Sequence, residues 1–252
     1  MSTEYSGRGD PARSIALLWG TRERSGRGPK PGLSVERLVA AAIEIADADG
    51  LERLSMRRVA ERLGAGTMSL YRYVPGKAEL LDLMVDRVCA EPGDDGNDGS
   101  WRARLERIAR DNRRLYERHP WLAHVFPGRP PLGPGVIAKY DRELAAVEGI
   151  GLTDVEMDSV LTLVLDYVRA AAISFAESAA APQRTGQTDD EWWTALGPAL
   201  ARVCDPDRFP LATRVGNAAT EQYQAAHDPE HAFEFGLARL LDGVEAFVER
   251  RR

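Results

Sequence analysis

The stretch LSMRRVAERLGAGTMSLYRYVPGKAELL, residues 54–81, constrains this chain more than any other. Met56, Val59, Ala60 and Leu63 recur at helical spacing, with Arg57, Arg58, Glu61 and Arg62 mostly on the other side, so Ser55 opens one short helix. Gly64 and Gly66 supply backbone freedom for a sharp turn, and Thr67 starts a second helix that Pro75-Gly76 stops after about Val74. In that second helix only Leu70 and Val74 are obvious core anchors. Thr67, Ser69, Tyr71, Arg72 and Tyr73 are left to present hydroxyls and a guanidinium outward. Such groups suit phosphate oxygens and base edges when a short helix enters the major groove of DNA. The competing reading is an ordinary amphipathic helix with surface tyrosines.

The surroundings are helical too. Ser34 can cap a preceding helix whose Leu38, Ala41, Ala42, Ile45 and Ala46 form one stripe, and Gly50 ends it. From Lys77 a further helix carries Ala78, Leu81, Met84, Val85 and Val88, a stripe suited to packing on the first. Residues 91–100, EPGDDGNDGS, hold turn formers and nothing apolar, which marks a linker. Beyond it, helices are expected over residues 101–118, 121–126, 136–148, 154–180, 190–204 and 229–250, with no strand alternation to compete. Thr153 to Glu156 reads as a capping box, and Asp228-Pro229 as an N-cap followed by a first-position proline. The last helix has an apolar stripe broad enough to face both its own domain and a partner. The expected fold is all-α, with a three-helix helix-turn-helix DNA-binding domain over residues 34–90 and a helical domain over residues 101–252.

Charge bears on the partner. The chain carries -6 overall, but residues 1–90 hold 14 basic and 12 acidic residues, so the deficit lies wholly in the remainder. Arg22, Arg24, Arg27 and Lys30 sit among glycines and Pro29, with Glu23 as the only acid nearby. With almost no apolar surface this stretch cannot fold alone, and residues 1–33 read as a flexible basic arm for DNA phosphates or, alternatively, a solvated tail. Cys89 and Cys204 form neither a disulfide framework nor a metal spacing. The chain has no glycine-rich phosphate loop, Gly-x-Ser-x-Gly elbow or His-Glu-x-x-His motif, so neither catalysis nor a metal or cofactor is expected. The most apolar region, residues 160–176, is interrupted by Asp166 and Arg169, and the N-terminus lacks a secretory leader; a cytoplasmic protein without a membrane span is expected.

Residues 34–85, above all LSMRRVAERLGAGTMSLYRYVPGKAELLD, resemble the DNA-binding domain of the TetR family of transcriptional regulators. The match includes the Ala-Asp-Ala-Asp-Gly-Leu ending of the leading helix, the Val-Ala-Glu-Arg-Leu-Gly helix, Leu-Tyr-Arg-Tyr-Val and Lys77. HPWLAHVFPGRPPLGPGV and the ending FEFGLARLLDGVEAFV resemble the tetracycline-repressor-like C-terminal domain, extending the likeness over most of residues 34–250. The resemblance implies a ligand-responsive regulator, foremost a repressor, that binds a palindromic operator on double-stranded DNA as a homodimer and is released by a small-molecule inducer. An activator, or a helical interaction scaffold without DNA binding, are the alternatives.

Carried over by position, the resemblance puts Ser55, Met56 and Arg57 beside the DNA backbone. It makes Thr67, Met68, Ser69, Tyr71, Arg72 and Tyr73 the reading head and Lys77 a phosphate clamp. It implies a four-helix dimer interface from the helices that begin at Thr153 and Pro229, and a ligand pocket in the C-terminal domain. His124 matches a metal-linked histidine of the tetracycline-binding relatives, but Ile108, Asn112 and Glu143 depart from the rest of that site, so tetracycline with magnesium is not expected. The pocket candidates are Trp101, Trp121, His124, Tyr140, Glu143 and Tyr167, while His119, His227 and His231 read as helix-end residues.

Overall fold

A computed structural model describes residues 10–21, 32–93, 98–125, 130–223 and 228–251. Among them it contains eleven α-helices and no strand. The leading helix of the DNA-binding domain, α2 (Val35–Asp49), starts where the Ser34 hydroxyl accepts the Arg37 N–H at 3.3 Å and ends at Gly50. α3 (Met56–Arg62) starts on Ser55, which accepts the Arg58 N–H at 3.2 Å. Gly64, at φ 62°, makes the reversal into α4 (Thr67–Leu70). Gly66, at φ -75°, occupies ordinary extended space and supplies no special freedom there.

α4 is shorter than its sequence pattern suggested. Regular helix stops at Leu70, and the Tyr73 and Val74 amides both return to the Leu70 carbonyl, at 2.9 and 3.0 Å, before Pro75. α5 (Lys77–Cys89) then crosses back over α2, burying Leu80, Leu81, Met84, Val85 and Val88.

This first core does not close at residue 90. Leu115, Trp121, Leu122 and Val125 from beyond the linker pack into it. His119 lies 2.8 Å from Asp47 and 3.0 Å from Glu91, which fastens the same junction with hydrogen bonds.

The N-terminal segment requires a correction, because Pro11–Leu18 is a helix, α1, capped by Asp10. The Ser14 hydroxyl donates to buried Asp82 on α5 at 3.0 Å, Leu18 is buried in the first core, and the Trp19 indole donates to the Leu132 carbonyl at 2.9 Å. The reading of residues 1–33 as a flexible arm rested on its basic stretch. It overlooked a two-turn apolar stripe that is stable only where α5 covers it. Arg22, Arg24, Arg27 and Lys30 lie outside the described residues.

Beyond the linker, Ser100 caps α6 (Trp101–Arg118), and a short 3-10 turn over Pro120–His124 leads toward α7 (Pro134–Leu144). α8 (Asp154–Thr185) begins where Glu156 accepts the Thr153 N–H at 2.9 Å, as the capping box predicts. α9 (Asp189–Val203), α10 (Pro210–Tyr223) and α11 (Pro229–Glu249) follow, the last capped by Asp228. α10 was not anticipated; Pro210 at its first position is the local signal.

α6, α8 and α11 enclose a second core around Leu105, Val164, Val168, Phe233, Leu237 and Leu241. A ladder of ion pairs tops the α6–α11 seam: Arg113 to Glu230 at 2.6 Å, Arg110 to Glu234 at 2.9 Å and Arg102 to Asp242 at 2.7 Å. α8 is long and apolar enough to cross a membrane by length and composition alone, with a mean hydropathy of 1.5 in its best window. Its Val160, Leu161, Val164, Val168 and Ala172 are instead buried within the protein.

Candidate DNA-reading surface and ligand cavity

The reading surface follows from how little of α4 is anchored. Leu70 and Val74 are wholly buried, and that leaves Met68 79% and Tyr71 41% exposed, with Arg72 also outward and Thr67 and Ser69 half-covered. These five side chains share the outer surface of the turn. Tyr73 differs, because it is half-buried against the first core.

On α3, Arg57 stands in solvent with Glu61 as a 2.8 Å partner, a pair a phosphate could displace because exposed ion pairs are weak. The Ser55 hydroxyl serves as the helix cap. Met56 is 7% exposed and belongs to the core, which corrects its assignment to the DNA side. The residue after an exposed N-cap here turns inward as the helix begins. Lys77 holds its Nζ 3.4 Å from the Leu51 carbonyl at the start of the turn after α2.

A cavity of about 580 Å³ lies between α6, α7 and the chain leaving α5, within the size range of small-molecule sites. In its wall the buried Asn112 amide donates to Glu143 at 2.6 Å and to the Ile108 carbonyl at 2.9 Å, and Lys139 donates to the same Glu143 oxygen at 2.6 Å. Cys89, the last residue of α5, reaches the cavity, and burial pushes its thiol up to about 11.

α7 is seated directly on α5. Asp86 accepts the Val136 N–H at 2.9 Å, and a Cβ at Gly135 would collide with the Asp86 carbonyl. Burial raises the Asp86 carboxyl above its usual range, while the Val136 and Gly135 amides pull it back.

Of the six pocket candidates, only Glu143 lines this cavity. Trp121 sits in the first core and donates its indole N–H to Asp47 at 2.7 Å. Trp101 packs on the second core, and Tyr167 stacks on Phe233 and donates to the Ala232 carbonyl at 2.8 Å. Tyr140 donates to Asp158 at 2.8 Å, and His124 is exposed; neither borders the cavity. Trp101, Trp121 and Tyr167 are taken up by the two cores, where large rings pack first.

The cavity-lining residues that the sequence reading did not single out include Arg104, Arg107, Arg114 and Arg118 on α6 and Lys139 and Arg142 on α7. Their signal was a spacing: 104, 107, 111, 114 and 118 mark one polar face along four turns of α6.

Two family descriptions match the chain. "Bacterial regulatory proteins, tetR family" covers residues 38–84, and "Tetracyclin repressor-like, C-terminal domain" covers residues 91–248. An HTH-type transcriptional repressor of Streptomyces coeruleorubidus, DrrR1, is 50% identical over 254 residues, spanning 100% of this chain and 92% of that one. The class C tetracycline repressor protein of Escherichia coli is 26% identical across 84% of this chain and 91% of its own. Among solved structures, apo ActR of Streptomyces coelicolor superposes with a TM-score of 0.70 at 27% identity, covering 89% of this chain and all of ActR. ActR in complex with actinorhodin gives 0.68 at 27% identity, covering 86% of this chain and 97% of ActR.

Proposed function

Because this chain belongs to the TetR family of bacterial transcriptional regulators, we propose that it is a cytoplasmic repressor that grips a palindromic operator as a homodimer and lets go when a small molecule enters the cavity. The observation that carries this reading is α5. Its first residue, Lys77, follows the reading turn, and its last, Cys89, touches the cavity about 20 Å away along one unbroken 13-residue helix. A ligand that favours one tilt of α5 over another changes where the reading turn stands. A ligand with equal affinity for both tilts would change nothing. The repressor name of the Streptomyces coeruleorubidus relative and the actinorhodin complex of ActR support repression and a small-molecule effector.

The dimer has support in what α8 and α11 leave uncovered. Val155, Leu163 and Phe235 are 75%, 52% and 57% exposed, on helices whose opposite sides are buried. One reading turn spans too few base pairs for specificity, whereas two related by a twofold axis read a palindrome. Tyr71, Arg72, Thr67 and Ser69 would contact bases and phosphates, Met68 a thymine methyl, and Arg57, Lys77 and the arm residues Arg22, Arg24, Arg27 and Lys30 the backbone.

The test is fluorescence anisotropy with duplexes tiling the DNA upstream of the chain's own gene. Wild type should bind one of them as a dimer, with affinity falling steeply as salt rises. The Tyr71→Ala/Arg72→Ala variant should lose that specific binding while keeping its helical circular dichroism and dimer mass. Full affinity in the double variant would remove the reading surface. A promoter reporter that rises when the gene is deleted establishes repression; one that falls means activation.

A further inference from the structure

Asp82 and Asp86 stand one turn apart on α5 and grip different neighbours. Asp82, 1% exposed, accepts the Ser14 hydroxyl of α1 at 3.0 Å. Asp86 accepts the Val136 N–H of α7 at 2.9 Å, beside Gly133 and Gly135, where any Cβ would collide with it. The Trp19 indole, just past the end of α1, donates to the Leu132 carbonyl, just before α7, at 2.9 Å. Three hydrogen bonds therefore close a ring through α1, α5 and α7, joining residues 68, 50 and 113 positions apart.

α1 takes its shape from this ring. Its eight residues are too few for a stable isolated helix, and what holds it is the two bonds together with Leu18 in the first core and Leu17 packed against it. Hydrogen bonds tolerate little change of distance or angle, so α1 docks on one relative placement of α5 and α7. By linkage its docking favours that placement over others. Both neighbours reach the functional surfaces: α5 leaves the reading turn at Lys77, and α7 carries Lys139 and Glu143 in the cavity wall. Leu18 also shares a core with Leu70 and Val74, the anchors of the reading turn, so the placement that α1 favours is the one in which that turn is seated.

We infer that α1 is a strap that sets the tilt of α5 for operator binding, with Ser14 and Trp19 as its positioning residues, acting through α5 and α7 and not through contact with DNA. The inference rests on the reading of α5 as the lever between reading turn and cavity. A molecule that moves α7 off α5 must also undo the Trp19 bond, so the strap opposes release of DNA.

Two variants of the full-length protein test it. Ser14→Ala/Trp19→Phe removes both bonds from α1 and no charge. Trp19→Phe alone changes a ring that is 47% exposed, which keeps the test decisive if the double variant folds poorly. Operator affinity should fall about threefold to thirtyfold in the double variant, the preference that one or two hydrogen bonds confer, and by less in Trp19→Phe. The salt slope, the dimer mass and the preferred operator sequence should stay as in wild type, because no phosphate or base contact is lost. Unchanged or tighter operator binding would overturn the inference, and so would a flatter salt slope, which would place α1 on the DNA.

Hydrogen–deuterium exchange separates a strap from a helix that merely adds stability. In the free double variant, peptides from α1 and from residues 132–144 should both exchange about tenfold faster than in wild type, and operator DNA should slow both in wild type. Faster exchange confined to α1, with α7 as protected as before, would overturn the inference while the lever still stood. If wild type bound none of the duplexes, the proposed function would fall and this inference with it.

Discussion

The reading turn and the cavity are built in opposite ways. α4 hangs on Leu70 and Val74, both wholly buried, and the groups it offers to DNA lie outside the core. In the cavity wall the polar groups are themselves buried: Asn112, Glu143 and Lys139 hold one another, at 4% and 6% exposure for the first two. Stability and recognition are thus carried by different residues in the first region and by shared residues in the second. On the proposed function, a reading turn of this kind can change specificity freely, whereas a change of ligand preference in the cavity also moves stability.

The sharpest way to break that contrast is Leu70→Ala. It should destabilise the DNA-binding half by about 2–5 kcal/mol, measured by urea unfolding, because the vacated space has no other filler. The Tyr71→Ala/Arg72→Ala variant should unfold with the wild-type midpoint. If the two variants were equally stable, anchor and reader would not be separate.

In the cavity, Glu143→Ala strands Lys139 and Asn112 and should cost about 3 kcal/mol. It should at the same time change the concentration of inducer needed to release the operator. A loss of stability with no change in that concentration would separate the two roles here as well.

The two methionines of the helix-turn-helix make a finer comparison. Met56→Ala should cost about 2 kcal/mol, since it empties a core position, and Met68→Ala no more than about 0.5 kcal/mol. Only the second should alter base preference in a competition assay. A stability loss confined to Met68→Ala would return Met56 to the DNA side.

The smallest effect is on acid stability. Hydrogen bonds from Arg113 and Arg102 hold the Glu230 and Asp242 carboxyls below their usual range. A carboxyl lowered by folding stabilises the native state above its unfolded value, and that contribution is lost as pH falls through the folded one. Asp86, raised by burial, works the other way: its contribution is present below the unfolded value and fades as pH rises through the raised one. The Glu230→Gln thermal midpoint should lie about a degree or two below wild type at neutral pH and converge with it below about pH 4, since exposed pairs are screened. Parallel curves at every pH would show that the α6–α11 ladder contributes through packing alone.

Helix starts were legible because capping is local. Ser34, Ser55, Thr153 and Asp228 each sit within three residues of the amide or carboxylate they engage. The anchors Leu70 and Val74 were legible for the same reason, as the only large aliphatic residues in a short polar run between a glycine turn and Pro75. The inward turn of Met56 was legible too, in its helical spacing with Val59 and Ala60, and it was the role carried over from the family that put it on the DNA side.

The sequence by itself thus determined the all-α class, the helix-turn-helix and the family. All of these rest on patterns a few residues long or on a matched motif. Tertiary structure alone decided that α1 docks on α5 through Ser14 and Asp82, that Trp121 completes the core of the other domain, and that a basic face of α6 meets α7 across a cavity. Each of these joins residues at least 20 positions apart, and burial and charge there depend on which surfaces the packed helices bring together, a quantity that no local pattern encodes.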